Sequence, residues 1–521
     1  MNKKRLSVLT LSAMSIIALA SCGGSAASSS SVDSSEASTS ASQEKVTITW
    51  WNTYTQDPTP DDTSDDKNYA AYHYVKDVIA AFQKENPNIT VNAVYKGNYS
   101  NDYGGLASAV DSGLGTGDVP HIASTYGTYA INWIDSLVDV SDHAATLKKD
   151  SDFSQYYLTV EAQQYNGKFY SLPYSKSTDA LMINKEVMSV TGANKAGVDA
   201  GDYVAPTSVN ANKAAYAYPT SFEGLMDLAE DWVEDFPRSF STERDANGYI
   251  TSCPVIYEDP ANLFITLLES KGIPFMTNDT DPVKSVPFLN DAKAKELAAD
   301  LTEWNHKGLL ATKYQFPMIN SYSHEYPSTI FGQGKCFAIL ASTTGAPWMA
   351  SDGYSVSWQS IPKYDTGDSA KSLSQGPSLC FFKKKNQAEV DASLKFYDFL
   401  TNKENGAALA AQTNYFPLRK SSREVESLKT LIDAAKSEVT YESAYADKKA
   451  NYAGKVFAID EECGNGNNLF MSPVTTLSGK VRSAVNDIIN GLFADTDAKT
   501  DEQIDALVEA KFAAAKTKIF S

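Results

Sequence analysis

Residues able to do covalent chemistry are few and poorly grouped in this chain. The five histidines, at 73, 121, 143, 306 and 324, are scattered, and His324-Glu325 lacks the second histidine of a zinc-protease helix. No Gly-x-Ser-x-Gly elbow is present for a serine hydrolase. Gly332-x-Gly334-Lys335 runs into Cys336 without the spacing of a phosphate-binding loop. Glu243, Asp245, Asn247 and Gly248 match the first half of a calcium loop, but Pro254 stands where the closing bidentate glutamate belongs, and an Asn-Gly hairpin turn explains the stretch better. The carboxylates of Glu461-Glu462 and of Asp61, Asp62, Asp65 and Asp66 read as solvated faces; a glycosidase needs two that oppose each other across a cleft. Cys253, Cys336, Cys380 and Cys463 form no Cys-x-x-Cys pair. Their even number permits disulfides, while Cys336 and Cys380 lie in apolar runs that suit buried thiols. No catalytic residue, metal or cofactor is signalled.

What the sequence has in excess is aromatic surface, with 29 Tyr and 7 Trp. Many stand beside Gly, Pro or polar residues: Trp50-Trp51-Asn52, Tyr126-Gly127-Thr128-Tyr129, Pro173-Tyr174, Pro347-Trp348 and Tyr415-Phe416-Pro417. Aromatic faces stack on the C–H faces of sugar rings, while neighbouring hydroxyls and amides take the polar edges. Most such rings in any protein simply pack, so the pattern is a pointer to carbohydrate and no more.

The elements that must position these residues alternate between strand and helix. Val46, Ile48 and Trp50 alternate with polar residues as a strand, and Val75, Val78, Ile79 and Phe82 keep helical spacing up to Asn86-Pro87. A second strand follows over Ile89 to Tyr95 and a third over Val119 to Ala123. Thr220 and Glu223 form a capping box before an amphipathic helix carrying Phe222, Leu225, Ala229 and Trp232. Asp291 to His306 is a helix stopped at Gly308; Lys335 to Leu340 and Leu379 to Phe382 are buried strands; Val390 to Leu400 is a further helix face. This is an α/β chain with parallel-type sheets covered on both faces, long enough for two or more lobes.

The N-terminus carries an address. Lys3-Lys4-Arg5, an apolar run from Leu6 to Ala20 and then Ser21-Cys22 read as a signal peptide over 1–21. Leu19-Ala20-Ser21-Cys22 resembles a bacterial lipobox, which implies acylation of Cys22 and anchorage on the outer face of the membrane. Residues 23–44 hold ten Ser and four Ala in 22 positions, the composition of a flexible tether. Loss of Lys3, Lys4 and Arg5 takes the formal charge from −19 to −22. So acidic a chain offers no basic face for nucleic acid or for an anionic membrane surface.

From residue 45 onward the chain resembles the extracellular solute-binding proteins of ABC importers, in their carbohydrate and glycerol-phosphate branch. The blocks that carry the resemblance are Val46-Thr-Ile-Thr-Trp-Trp51, Phe82-Gln-Lys-Glu-Asn-Pro-Asn-Ile-Thr90, Tyr95-Lys-Gly-Asn-Tyr99, Tyr165-Asn-Gly-Lys-Phe-Tyr-Ser-Leu-Pro-Tyr174, Leu181-Met-Ile-Asn-Lys185, Pro219-Thr-Ser-Phe-Glu223, Gly334-Lys-Cys-Phe-Ala338, Gln375-Gly-Pro-Ser-Leu379 and Asn414-Tyr-Phe-Pro-Leu418. Each is weak alone; their common order is strong. The resemblance implies a two-lobed α/β binding-protein fold of type II with a ligand cleft between the lobes. Its crossings would be 175–180, 374–380 and 414–418, with lobe one at 45–178 plus 379–416 and lobe two at 179–378 plus 417–521. It places ligand contacts on Tyr99, Ser177, the cluster Ser342 to Thr344, Gly376 and Tyr415.

Two departures bear on the ligand. The acidic contact of the glycerol-phosphate branch falls on Gly127, and no arginine stands near Cys463 to Asn467 to clamp a phosphate. Tandem tryptophans are also missing around Tyr257 to Asn262. The expectation is therefore a monomeric receptor that hands a neutral sugar to an ABC permease. Trp51, Trp348 and Tyr415 would stack on it, Asn52, Tyr99, Ser177 and Thr344 would hydrogen-bond it, and Tyr126 and Gly376 would complete the contacts. A glycerol-3-phosphate or glycerophosphodiester receptor is the alternative, and a lipid-anchored glycosidase the rival from another class.

Overall fold

The computed structural model describes residues 44–54, 67–97, 105–188, 215–236, 239–241, 243–320, 323–351 and 353–521. The elements below belong to one compact unit, Lys45–Ser521. Its first seven strands are β1 (Val46–Asn52), β2 (Ile89–Tyr95), β3 (Ile122–Thr125), β4 (Ser171–Pro173), β5 (Asp179–Asn184), β6 (Val255–Tyr257) and β7 (Leu310–Thr312). The remaining seven are β8 (Met318–Asn320), β9 (Ser323–His324), β10 (Ala338–Ser342), β11 (Val356–Ser360), β12 (Ser372–Leu373), β13 (Ser378–Phe381) and β14 (Leu469–Phe470).

Two five-stranded sheets result, in the orders β2-β1-β3-β13-β4 and β11-β5-β10-β6-β7. Both are mixed rather than parallel. β1 is parallel to β2 and β3, but β13 runs antiparallel to β3 and β4; in the second sheet β5 runs antiparallel to β10 and β11. The reason lies in the connections. β4 passes directly into β5 and so leaves one sheet for the other, while β13 returns to the first sheet after the chain has built the second.

Period-two alternation sorts the side chains. Ile48 and Trp50 enter the core on one face of the first sheet, and Trp51 enters a second cluster with Leu106, Trp133 and Phe382 on the other. In the second sheet Leu181, Ile183 and Leu340 face the helices Pro260–Ser270, Ala292–His306 and Ser478–Ala494, while Met182 and Ile339 face the opposite core. The helix expected after Thr220 runs Phe222–Asp235, but its cap is Ser221, whose extended backbone lets Oγ accept from Gly224 N at 3.1 Å. Arg244 and Ile250 pair antiparallel around the turn at Gly248, so the stretch read as half a calcium loop is a hairpin. All four described cysteines are buried and free.

Three segments run side by side between the sheets. Ser177 and Gln375 exchange backbone hydrogen bonds at 3.1 and 2.8 Å, and Phe416 N donates to Lys176 O at 2.7 Å. Gly376 has φ +84°, and a Cβ there would lie 1.8 Å from the carbonyl oxygen of Ser175. Only glycine permits so close an approach. Lys176 is fully buried here. Its Nζ donates to Ser378 Oγ at 2.6 Å and to Gly376 O at 3.3 Å, and lies 3.3 Å from Glu161 Oε2. Glu161 also accepts from Ser378 at 2.8 Å and from Ser171.

Candidate functional site

A cavity of about 440 Å³ opens where loops from both sheets meet the paired segments. β3 delivers Tyr126, Gly127 and Tyr129 to one wall. The helix Gln155–Gln164 adds its last residue, and the 471–474 loop lies beside it, held by Val474 N donating to Gln164 O at 3.0 Å and Met471 N to Gln163 Oε1 at 3.1 Å. The opposite wall comes from the second sheet: Asp179 at the start of β5, Ser342 at the end of β10, and Glu258, Asp259 and Asn262 following β6. Gln375 and Ser374 reach the cavity from the paired segments, and Arg482 from the first turns of helix Ser478–Ala494.

The polar groups of that second wall form one network. Asp259 caps helix Pro260–Ser270 by accepting from Asn262 N at 2.8 Å. Arg482 Nη2 donates to Asn262 Oδ1 at 2.5 Å and to Asp259 Oδ1 at 3.2 Å. Asn262 Nδ2 in turn donates to Asp179 Oδ2 at 2.9 Å, where Tyr257 OH also donates at 3.1 Å, and Gln375 Nε2 donates to Asp179 Oδ1 at 2.5 Å. Burial pushes the Asp179 carboxyl up to about 6, against the hydrogen bonds from Gln375 and Asn262 that lower it. Tyr126 has its phenol pKa raised, first by burial and then by Tyr415, with Arg482 acting the other way; the three therefore share one electrostatic neighbourhood.

The residues expected to bind ligand are dispersed differently from the expectation. Tyr126 lines the cavity. Thr344 and Trp348 line a smaller recess of about 160 Å³ that shares Glu258 and Ser342 with it, and Trp348 is 43% exposed. Tyr415 stands edge-on to Tyr54, with ring centres 6.4 Å apart. Trp51 is turned into the interior: strand alternation sends it to the far face of the first sheet from Trp50, and Lys96 Nζ sits 3.9 Å from its ring centre. Asn52 is buried, donating to Trp50 O at 3.3 Å and accepting from Tyr54 N at 2.8 Å. Ser177 and Gly376 are buried in the backbone pairing between the sheets. Tyr99 and Cys22 lie outside the described residues.

Sequence reasoning missed Gln164, Asp179, Asn262, Gln375 and Arg482. The segment from Tyr257 to Asn262, noted only for lacking tryptophans, supplies a polar wall instead; the Asp259-Pro260 pair, a helix-start signal, could have marked it. No arginine falls near Cys463, but Arg482 reaches the cavity from the next helix. Gly127 also acquires a reason. A Cβ there would lie 2.0 Å from Gln164 Oε1, so the absent side chain makes room for the amide.

Comparison with known proteins agrees with this architecture. The model of the bacterial extracellular solute-binding protein family matches residues 77–436. The sn-glycerol-3-phosphate-binding periplasmic protein UgpB of Escherichia coli (strain K12) is 24% identical over 356 residues, 66% of this chain and 70% of that protein. Among solved structures, UgpB from Mycobacterium tuberculosis in complex with glycerophosphocholine superposes with a TM-score of 0.58 at 16% identity, covering 91% of this chain and 97% of its own. Maltose-bound T. maritima MalE3 gives 0.57 at 14% identity, with 90% and 99% covered. An ABC substrate-binding protein from Listeria monocytogenes in complex with cycloalternan gives 0.55 at 16%, with 91% and 100% covered. At these identities the solved structures speak for the two-lobed fold. The chain belongs to the bacterial extracellular solute-binding protein family.

Proposed function

We propose that this protein captures a neutral saccharide in the cavity between its two sheets and delivers it to an ABC permease. The observation that carries the reading is the cavity itself, about 440 Å³, with tyrosines on one wall and an amide-rich network on the other. That size and lining suit a small hydroxylated ligand. The lobes 45–178 plus 379–416 and 179–378 plus 417–521 would close over it about the paired segments. A ligand touching both lobes favours the closed form by its differential affinity for it. In this reading Cys22 is acylated, residues 23–44 are the tether, and the receptor works as a monomer on the extracellular face of the membrane. No bond is broken. The cavity's carboxylates, Asp179, Glu258 and Asp259, all stand on the wall built by the second sheet, which supports binding over glycoside hydrolysis.

Arg482 favours a second reading, a receptor for a glycerophosphodiester, because a guanidinium in a cleft is the natural partner of phosphate. Its pairing with Asp259 argues for the neutral ligand first. Calorimetry with maltose, maltotriose and cycloalternan beside glycerophosphocholine and sn-glycerol-3-phosphate decides between them. Heat with a saccharide is expected. Tight binding of a phosphodiester with silence from every saccharide would transfer the assignment to the second reading.

A further inference from the structure

We propose that the side-chain amide of Gln164, seated in the space left by the missing side chain of Gly127, is the group that reads the ligand, hydrogen-bonding two adjacent hydroxyls. The proposal rests on the saccharide reading above and names the residue that would make it selective. Gln164 ends the helix Gln155–Gln164, is 1% exposed and lines the cavity. Its backbone carbonyl is engaged by Val474, yet both Nε2 and Oε1 are buried without a hydrogen-bond partner in the protein. Ser374 Oγ and Ser472 Oγ, lining the same cavity, are also buried without partners. Buried polar atoms are almost always satisfied, and one left bare is costly. Three such side chains on one cavity are a hydrogen-bonding surface whose complement is a bound molecule.

The chemistry of an amide narrows what that molecule is. Gln164 offers an acceptor at Oε1 and donors at Nε2, side by side. Two neighbouring hydroxyls on a sugar ring fit it, one donating to Oε1 and the other accepting from Nε2. A phosphate or carboxylate oxygen has no proton for Oε1 and would meet it lone pair to lone pair. Ser374 and Ser472 can donate or accept, so they tolerate either partner and add little discrimination. Gly127 is the spacer of this arrangement. The atom that an added Cβ would strike is the end of the Gln164 side chain, not backbone, so Gly127→Ala would push the amide aside without disturbing the fold.

The test is calorimetry on the full chain with maltose, maltotriose and cycloalternan, using the tightest of the three as probe. Gln164→Ala and Gly127→Ala should each weaken binding about 10- to 100-fold, as expected for one or two lost hydrogen bonds. Thermal midpoints should stay close to that of the parent. Monodeoxy derivatives of the probe separate recognition from structure: the derivative lacking the hydroxyl read by Gln164 should lose affinity for the parent protein and lose little more for Gln164→Ala. Parent binding that is unchanged in Gln164→Ala overturns the assignment and leaves the saccharide reading standing. A parent protein silent to all three sugars overturns both.

Discussion

Glu161 and Gln164 stand three residues apart on one helix, both buried, and their side chains fare differently in hydrogen bonding. Glu161 has every partner a carboxylate could want: Ser171, Ser378 and the ammonium of Lys176. Gln164 has none for its side chain. The two look toward different neighbours, Glu161 toward the paired segments between the sheets and Gln164 toward the cavity. Burial of a polar group is thus no sign of function by itself. The sign is the account of its hydrogen bonds, closed at Glu161 and open at Gln164.

The sharpest way to break the comparison is to open the closed account. Lys176→Met leaves Glu161 as an uncompensated charge at a site with no solvent access. Loss of one member of a buried pair costs about 3–5 kcal/mol. Urea unfolding should show a midpoint shift of that size with an unchanged slope. Adding Glu161→Leu to Lys176→Met should restore much of the loss, since the stranded charge is then gone. A loss below about 1 kcal/mol for the single variant would mean that water reaches the pair.

How much of this was readable in the sequence follows from the range of the interactions. Val46, Ile48 and Trp50 declare a strand because alternation is local, and Asp291 declares a helix start because its side chain caps Lys293 and Ala294. The mixed sheets were not readable, since the direction of β13 depends on where the chain comes back after some two hundred residues. The aromatic pattern could not sort rings that pack from rings that line a cavity. Tyr126 and Trp348 face open space, while Trp50 and Tyr174 pack edge to face at 6.0 Å in the core. The resemblance touched the cavity lining at Ser342, and the aromatic pattern touched it at Tyr126. Gln164, Asp179 and Arg482 escaped because what marks them is a relation to residues distant in sequence: a missing partner, an unpaired burial, a position one helix later than expected.

Asp179 lies between the two extremes and supplies the next test. It accepts three hydrogen bonds, but all from neutral donors, and unlike Glu161 it makes no ion pair among the described residues. Burial therefore wins and, with smaller contributions from Glu258 and Asp259, lifts the carboxyl from 3.8 to about 6. A carboxyl raised on folding stabilises the fold when protonated. That contribution is fully present below the ordinary value near 4 and is lost as pH rises through 6. The size is about 3 kcal/mol, an order-of-magnitude figure. Unfolding free energies of the parent and of Asp179→Asn, measured from pH 4 to pH 7, should show the parent losing roughly that much relative to the variant. A flat difference across this range would mean that the three donors compensate the charge as fully as Lys176 does for Glu161.

The smallest expected effect tests the open account, and it has the opposite sign. Gln164→Leu exchanges an amide without partners for an apolar side chain of similar length in the same buried place. Nothing in the protein loses a hydrogen bond, and the cost of an unsatisfied buried group disappears. The ligand-free variant should be as stable as the parent or more stable by up to about 1 kcal/mol, read as a slightly higher urea midpoint. At most positions a buried polar-to-apolar exchange that helps stability would be a curiosity. Here it is what a binding site predicts, because a group kept for a ligand is a liability until the ligand arrives. Destabilisation on the scale of Lys176→Met would show that Gln164 is partnered within the empty protein, and the contrast between the two neighbours on this helix would collapse.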